Sequence, residues 1–387
     1  MSNDYKEEVR LNEYASVLSK SIPSELQSIL DILWKNHKAY IVGGVVRDCL
    51  LGFPPKDFDV VTNAHPKDVE KLLSDAGIRT KPIGSKYGTI LAIVGKKTVF
   101  EVSTFRKEIY SSKGSPEVIF VDSLEEDLAR RDFTFNAIAF DPKKQIFIDK
   151  YNGIQDIKQG RIQIIGDAHT RLLEDGTRII RFARFLSQFN LEAHPDLLAE
   201  ALEIGKNVKF CSYSTLKKEF FKLIMLPDPT NGLRLIWLSE ILNVMFPNFP
   251  FKKSGANDLE KILNGFKEIS SNNIWIRFFG LLLFLSEESD YTVESWHEVG
   301  QNLKITPKEQ KKLNHLLNAW LNFPQSFESK TLKRWIRATG VNSSKDLLQL
   351  KVLHAELEGR SELLWKNINY LKEASAILET FHRSSKD

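Results

Sequence analysis

Residues 41–61, IVGGVVRDCLLGFPPKDFDVV, hold a glycine pair, Gly43-Gly44, and two aspartates in D-x-D spacing, Asp57 and Asp59. The aspartates fall on a run that reads as a strand. Alternate strand residues share a face, with i and i+2 about 6–7 Å apart. Two carboxylates so placed suit divalent metal, because the ions of a two-metal site lie about 3.5–4 Å apart. Glycines let backbone approach a phosphate, and the helix start expected just after them favours negative charge. The chemistry expected here is that of a nucleoside triphosphate with Mg²⁺. Each part also has a plain structural reading: a solvated acidic pair, a tight turn, an Arg47–Asp48 ion pair. Their combination in one short span, at the end of the apolar run Phe58, Val60, Val61, argues for a site. Two buried neighbouring carboxylates are costly without a cation.

A second cluster, DLARRDFTFNAIAFD, runs from Asp127 to Asp141. Arg130, Arg131 and Asp132 share one turn anchored by Phe133, Phe135 and Ile138. Guanidinium on phosphate and carboxylate on a ribose hydroxyl would make this a nucleotide grip, and a required 2′-hydroxyl would select ribonucleotides. A surface ion-pair network over an apolar core is the plainer reading. The third cluster, RLLEDGTRIIRFARF, spans residues 171–185. Read as one helix, it places Glu174, Arg178 and Arg181 at i, i+4 and i+7, with Asp175 beside them and Ile179, Ala183 and Leu186 opposite. A carboxylate accepts from an exocyclic amine and a guanidinium donates to a ring acceptor, so Asp175 and Arg178 could read a base edge for roughly 1–3 kcal/mol per good pair. A solvated helix face with internal ion pairs is the alternative.

The elements that must carry these clusters change character along the chain. Residues 1–37 read as a helical lead-in, with Ser24 as N-cap and Leu26, Ile29, Leu30, Ile32, Leu33 and Trp34 as an apolar face. Asn63 to Pro66 is a turn into a helix that buries Val69, Leu72 and Leu73, and Gly77, Pro82 and Gly84 break up the segment after it. Thr89–Val94 and Thr98–Thr104 read as a hairpin joined at Gly95-Lys96-Lys97. The class is α+β: a head with a small mixed sheet and helices, then an all-helical remainder in which the strand signal ends near Leu172. Helices are expected at Leu197–Ile204, Ser214–Met225, Leu233–Val244, Ile274–Leu285, Pro307–Leu321 and Ser361–Phe381, with a polar joint from Lys252 to Asn257. The 387 residues are 42% hydrophobic and 27% charged with a net charge of +4, an ordinary globular balance that permits a polyanionic partner without arguing for one. Two distant cysteines, Cys49 and Cys211, give no disulfide frame or zinc site. Neither a signal peptide nor a membrane-length apolar run is evident, so a cytoplasmic protein without membrane contact is expected.

The three clusters resemble the motifs of the class II tRNA nucleotidyltransferases, the CCA-adding enzymes and the related bacterial poly(A) polymerases. Gly43-Gly44 with Arg47-Asp48 and Asp57-Phe58-Asp59 resembles the first motif, and Arg130 to Thr134 with Asn136-Ala137 the ribose-selecting one. Glu174-Asp175 with Arg178, Arg181 and Arg184 resembles the amino-acid template for the incoming base. Thr104 to Arg106, Tyr151 to Asp156 and Glu219 to Ile224 resemble further family segments. The resemblance is specific over about residues 38–225.

It implies a lead-in at 1–37, a nucleotidyltransferase head at 38–160, a neck with the nucleotide-selecting helix at 161–226, and a helical body and tail at 227–387 that hold tRNA. Asp57 and Asp59 would bind two Mg²⁺, with Glu101 as a third carboxylate. Gly43, Gly44 and Arg47 would meet the triphosphate. Arg130, Arg131, Asp132 and Asn136 would hold the nucleotide's sugar side, and Glu174, Asp175 and Arg178 its base, with Arg181 and Arg184 on phosphate or supporting the template. Lys304, Lys308, Lys311, Lys312, Lys333, Arg334 and Arg337 would serve RNA backbone, though a solvated charged face is the better reading of them. The expected reaction is template-independent addition of CMP and AMP, from CTP and ATP, to the tRNA 3′ end. CC-only or A-only addition is the nearest alternative, because KEIYSSKGSPEV after Arg106 lacks the aspartate-then-arginine cluster before Pro116. A poly(A) polymerase comes next, and the alternative of another class is an RNA-binding protein with an inactive head. No His-Asp pair of phosphohydrolase type is found in the helical part, so no second hydrolase is expected. Oligomeric state is left open.

Overall fold

The computed structural model describes residues 3–95, 97–110, 116–252, 255–286, 293–324 and 328–360, with isolated positions beyond. It forms two compact units: Met1–Glu174 with Glu192–Leu198, and Asp175–Leu191 with Ala199–Asp387.

The first unit opens with helices α1 (Asn3–Lys20) and α2 (Ser24–Leu33), strand β1 (Ala39–Val42), helix α3 (Gly44–Leu50), strand β2 (Asp59–Thr62) and helix α4 (Pro66–Asp75). Strands β3 (Arg79–Ile83), β4 (Thr89–Val94), β5 (Thr98–Thr104), β6 (Arg106–Ile109) and β7 (Glu117–Phe120) come after them. Helix α5 (Leu124–Ala129), strands β8 (Ile138–Asp141) and β9 (Ile146–Asp149), helix α6 (Gly153–Lys158), strand β10 (Arg161–Ile162) and helix α7 (Ala168–Glu174) complete it. A return segment adds β11 (Glu192–Ala193), parallel to β10.

Seven strands make the main sheet, in the order β3-β4-β5-β2-β1-β8-β9. Its described pairs are antiparallel except β2 with β5. Alternation along β1 and β2 sends Ile41 and Val60 to one side, where they pack with residues of α1 to α4. Val42 and Val61 go to the other, with Phe105, Leu128 and Ala139. Asp59 shares the strand face of Val61, so the acidic residue stands at the rim of this second core.

The β4–β5 hairpin has the expected limits. Pro82 does not end the preceding segment: it lies within β3 at the sheet edge, where one side of the strand needs no N–H donor. Ser24 is the first residue of α2 rather than its cap; Pro23 caps it without a side-chain bond, and Ser24 Oγ donates to Glu25. Of the expected α2 face, Leu26, Ile29, Leu30 and Leu33 are buried.

The second unit runs α8 (Thr177–Gln188), α9 (Pro195–Glu203, which starts in the return segment), α10 (Tyr213–Ile224), α11 (Thr230–Leu238), α12 (Ile241–Met245) and α13 (Ala256–Lys267). Then come α14 (Ile274–Leu285), α15 (Val293–Asn302), α16 (Pro307–Leu321), α17 (Ser329–Thr339) and α18 (Val341–Leu357). Helix α14, IWIRFFGLLLFL, is apolar all round and buried from Trp275 to Leu285, as such a helix must be. Its Phe278 meets Phe220, Phe221 and Phe246. The buried guanidinium of Arg277 donates to the carbonyls of Ile224, Ile269 and Leu226, satisfying acceptors where α10 and α13 run out. Thr306 and Glu309 form a capping box at α16, with Pro307 in its first turn.

The segment expected as one helix from Leu233 to Val244 is two, because Glu240 takes a left-handed backbone (φ 56°) between α11 and α12. Strand also persists past Leu172, in β11. The expected helix Ser361–Phe381, and parts of the 107–118 segment and of the 252–257 joint, lie outside the described residues.

Candidate active site

In the first unit the site is built where β1 ends. The chain turns at Gly43 with φ 78° and ψ −139°, a conformation closed to L side chains, and enters α3 at Gly44. A β-carbon added at Gly43 would lie 3.5 Å from Asp59 Oδ2 and 3.7 Å from Arg131 Nη1, so the glycine turn, the acidic strand and the arginine cluster meet at one point.

Asp59 opens β2, opposite Val42 of β1 and Glu101 of β5. Asp57 is not two strand positions before it, as the D-x-D spacing suggested. It precedes β2 in a left-handed conformation (φ 53°), which Asp tolerates better than most residues. The acidic group therefore comes from a loop and two strands. Burial first, then the charges of Glu101 and Asp57, push Asp59 up to about 6 against the opposing pull of Arg131. A carboxyl so raised asks for a cation.

Among the described residues no three His, Cys, Asp or Glu are gathered closely enough to enclose a metal ion. The carboxylates whose charges Asp59 feels are those of Glu101 and Asp57. Mg²⁺ fits such a site, since it keeps several waters and takes its remaining oxygens from substrate phosphates.

The second cluster wraps around one buried carboxylate that the sequence reading left unassigned. Asp127, 0% exposed, accepts from Arg130 at 2.9 Å, Arg131 at 3.2 Å and the Arg106 amide at 3.3 Å. Burial would raise it, but Arg131 and Arg130 outweigh burial and hold it below the usual carboxylate range. Arg130 also reaches Glu108, which Arg106 shares. Arg131 Nε is buried with no hydrogen-bond partner among the described residues.

Asp132 and Asn136 are tied into the first cluster. Asn136 Nδ2 donates to Asp132 Oδ1 at 2.9 Å and its Oδ1 accepts from Arg47 Nη1 at 2.6 Å. Arg47 also holds Asp48 at 2.7 Å, the ion pair anticipated from the sequence. Thr134 Oγ1 donates to Asp156, which in turn pairs with Arg161. Asp149 accepts from the amides of Tyr151, Gly153 and Ile154 at the start of α6 and so fixes the helix that carries Asp156. Asp127, Asp149 and Asp156 each have a signal in hindsight: all lie inside the quoted motifs or within a few residues of them.

The third cluster is not one helix. Helix α7 ends at Glu174 and α8 begins at Thr177, so Glu174 does not share a face with Arg178. The Asp175-Gly176 break is a turn in which Asp175 Oδ1 accepts from the Thr177 amide at 2.9 Å and hydroxyl at 2.7 Å. Within the first unit Glu174 pairs with Arg171, whose guanidinium donates to the carbonyls of Arg130 and Arg131. In the second unit Arg178 is only 4% exposed and Arg184 is also buried, which rules out a solvated face. Arg184 pairs with Glu219 of α10 at 2.7 Å and lies 4.0 Å from the Phe185 ring centroid. Burial would raise Glu219, yet Arg184 and Lys222 hold it low. Arg181 lies 5.9 Å from the same ring centroid. Ile179, Ala183 and Leu186 are buried as expected.

Helix α8 is clamped from behind by Gly232 of α11. A β-carbon there would fall 2.2 Å from the Ala183 carbonyl oxygen, and the Gly232 amide donates to Ser187 Oγ at 2.7 Å. Gly232→Ala is expected to push α11 off α8 and destabilise the second unit by about 1–3 kcal/mol, the usual range for overpacking. A lowered urea midpoint at unchanged slope would show it; wild-type stability would refute the close approach.

Residues 39–163 match the family model described as the poly A polymerase head domain. The CCA-adding enzyme of Streptococcus mutans is 32% identical over 355 residues, covering 89% of this chain and 84% of its own length. That of Ligilactobacillus salivarius is 31% identical over 409 residues, covering 92% and 99%. The crystal structure of the Bacillus stearothermophilus CCA-adding enzyme in complex with CTP superposes with a TM-score of 0.68 at 25% identity, over 91% of this chain and 83% of that one. Likeness of this extent runs through the helical part as well as the head, and on it the chain belongs to the CCA-adding enzyme family.

Proposed function

We propose that this chain adds CMP and AMP, from CTP and ATP, to the 3′ end of tRNA without a nucleic-acid template. The observation that carries the reading is the meeting of Gly43, Asp59 and Arg131 at one point, inside a chain related to CCA-adding enzymes along most of its length. Asp57 and Asp59 would hold Mg²⁺, with Glu101 as the neighbouring carboxylate. Two such ions would supply a lowered pKa at the primer's 3′-hydroxyl and compensation for charge on the leaving pyrophosphate.

The chain's own residues do the rest. The backbone at Gly43-Gly44 and the Arg47 side chain take the triphosphate. Arg131 and Asp132 take the sugar, with Arg130 and Asn136 holding them in place. Asp175 and Arg178 read the base; Arg181 and Arg184 support that helix, Arg184 through Glu219. We assign residues 38–160 to the head, 161–226 to the neck, and 227–387 to a body and tail that bind tRNA. Lys304, Lys308, Lys311, Lys312, Lys333, Arg334 and Arg337 would meet the phosphates there. No helix among the described residues is long and apolar enough to cross a membrane.

Purified protein with tRNA ending before CCA, after C and after CC, given one nucleotide at a time, tests the reading. Growth to CCA and then arrest is expected. A CC-ended tRNA that never gains A would reduce the activity to CC addition, and open-ended A addition to unrelated RNA would make it a poly(A) polymerase.

A further inference from the structure

Beside the proposed base-reading turn the second unit exposes an aromatic ring that packing does not explain. Phe210 is 79% exposed, against 55% for the next most exposed large hydrophobic residue among those described. It ends a 3₁₀ turn, Gly205–Phe210, that is locked to the Asp175-Gly176 break. A β-carbon at Gly176 would lie 2.9 Å from Cys211 Sγ and 3.1 Å from the Asn207 carbonyl oxygen. The backbone that carries the ring is therefore packed against the turn of the residue assigned to the base.

Its surroundings are cationic. From Gly205 to Lys218 the chain carries Lys206, Lys209, Lys217 and Lys218 and no acidic residue. Lys206 and Lys217 pair with Glu240 and Glu309. Lys209 instead lies 5.0 Å from the Phe210 ring centroid and has no carboxylate partner among the described residues. An exposed aromatic ring with a cation over one face is what unpaired nucleotides use: the base stacks on the ring, and the flanking phosphate meets the ammonium. An apolar protein partner would instead have to bury Lys209 without a counter-ion.

We infer that Phe210 is a stacking platform for an unpaired base of the RNA primer's 3′-terminal strand, with Lys209 on the adjoining phosphate. This rests on the function proposed above and adds to it a primer-binding residue on a turn packed against the base-reading one. Stacking on an aromatic side chain is sequence-tolerant, which suits a primer whose last base changes after each addition.

The test uses full-length protein and a tRNA acceptor-stem RNA with 2-aminopurine placed in its unpaired 3′ strand. Wild type is expected to quench the probe on binding, Phe210→Trp to keep the quench, and Phe210→Ala to lose it. The KM for the RNA should rise about 5- to 150-fold in Phe210→Ala, the range typical of one stacked base. Its melting temperature should be unchanged, and kcat at saturating RNA and KM for CTP should stay within about twofold. Equal quench and equal RNA KM in Phe210→Ala, with wild type still extending the RNA, would overturn the stacking assignment alone. So would a changed elution volume with unchanged RNA KM, which would make the ring a contact between protein copies. Wild type that binds but never extends the RNA would instead sink the proposed function, while the probe still reports on Phe210.

Discussion

Asp59→Asn is expected to abolish nucleotide incorporation while making the metal-free protein more stable above pH 6. The activity loss should be about 10³-fold, because a carboxylate that holds a metal ion supports several kcal/mol of charge stabilisation. The stability gain comes from the raised carboxyl. An unfolded aspartate has lost its proton well below pH 6, whereas folded Asp59 keeps it until about 6. Between those values the folded chain binds more protons than the unfolded one, so stability falls as pH rises through that window. Asparagine carries no such penalty.

The full shift would be worth at most ~3 kcal/mol at about 1.36 kcal/mol per unit. Partial solvent contact should reduce it to roughly 1–2 kcal/mol, or about 2–8 °C for a unit of this size. Melting curves from pH 4 to 8 in chelator would show the two proteins converge at the acid end. Mg²⁺ should then narrow the gap at pH 8 by stabilising wild type alone. Identical curves at pH 8 without metal would mean that Asp59 is not strained by its neighbours.

Asp127→Ala should do the opposite and cost about 3–5 kcal/mol, the usual penalty for removing one partner of a buried ion pair. Two guanidiniums, Arg130 and Arg131, share that carboxylate, and neither can shed its charge. Asp127→Asn should be milder, because it keeps an acceptor for the Arg106 amide. Urea unfolding at pH 7 measures both, and a loss below about 1 kcal/mol for alanine would show that Glu108 alone suffices. The pH sign is also reversed here. With its folded value held low, Asp127 contributes stability above the ordinary carboxylate range and loses it as pH falls below that range. One acidic residue of the site thus weakens the apo fold at neutral pH and another strengthens it.

The fold was legible where local pattern and tertiary packing agree. The β4–β5 hairpin, α14 and α16 arise from alternation, an all-apolar run and a capping box, and their limits came out as expected. The candidate site was legible as residue types: Gly43, Asp59 and Arg131 come together, and Asn136 bonds Arg47 and Asp132. What escaped was conformation and burial. Asp57 reads as strand by alternation but turns left-handed after Pro54-Pro55, and Asp175-Gly176 is a turn signal that the helical spacing around it masked. Arg178 and Arg184 look solvated on a helical wheel because a wheel cannot show the Glu219 that α10 brings to Arg184. Asp127 escaped because what makes it matter, full burial beneath Arg130 and Arg131, is a product of packing.

The order of strands in the sheet also says when the site can exist during synthesis. Asp59 lies on β2, whose neighbours are β1 just before it and β5 some forty residues later; β1 in turn waits for β8. Closing such long loops is slow and brings no reward until the last strand arrives. A nascent chain that has not yet reached Asn136 leaves β1 with an open edge and Arg47 without that partner. The proposed nucleotide site would therefore be a late product of translation, and a chain stalled before that point would carry the acidic strand without its partners.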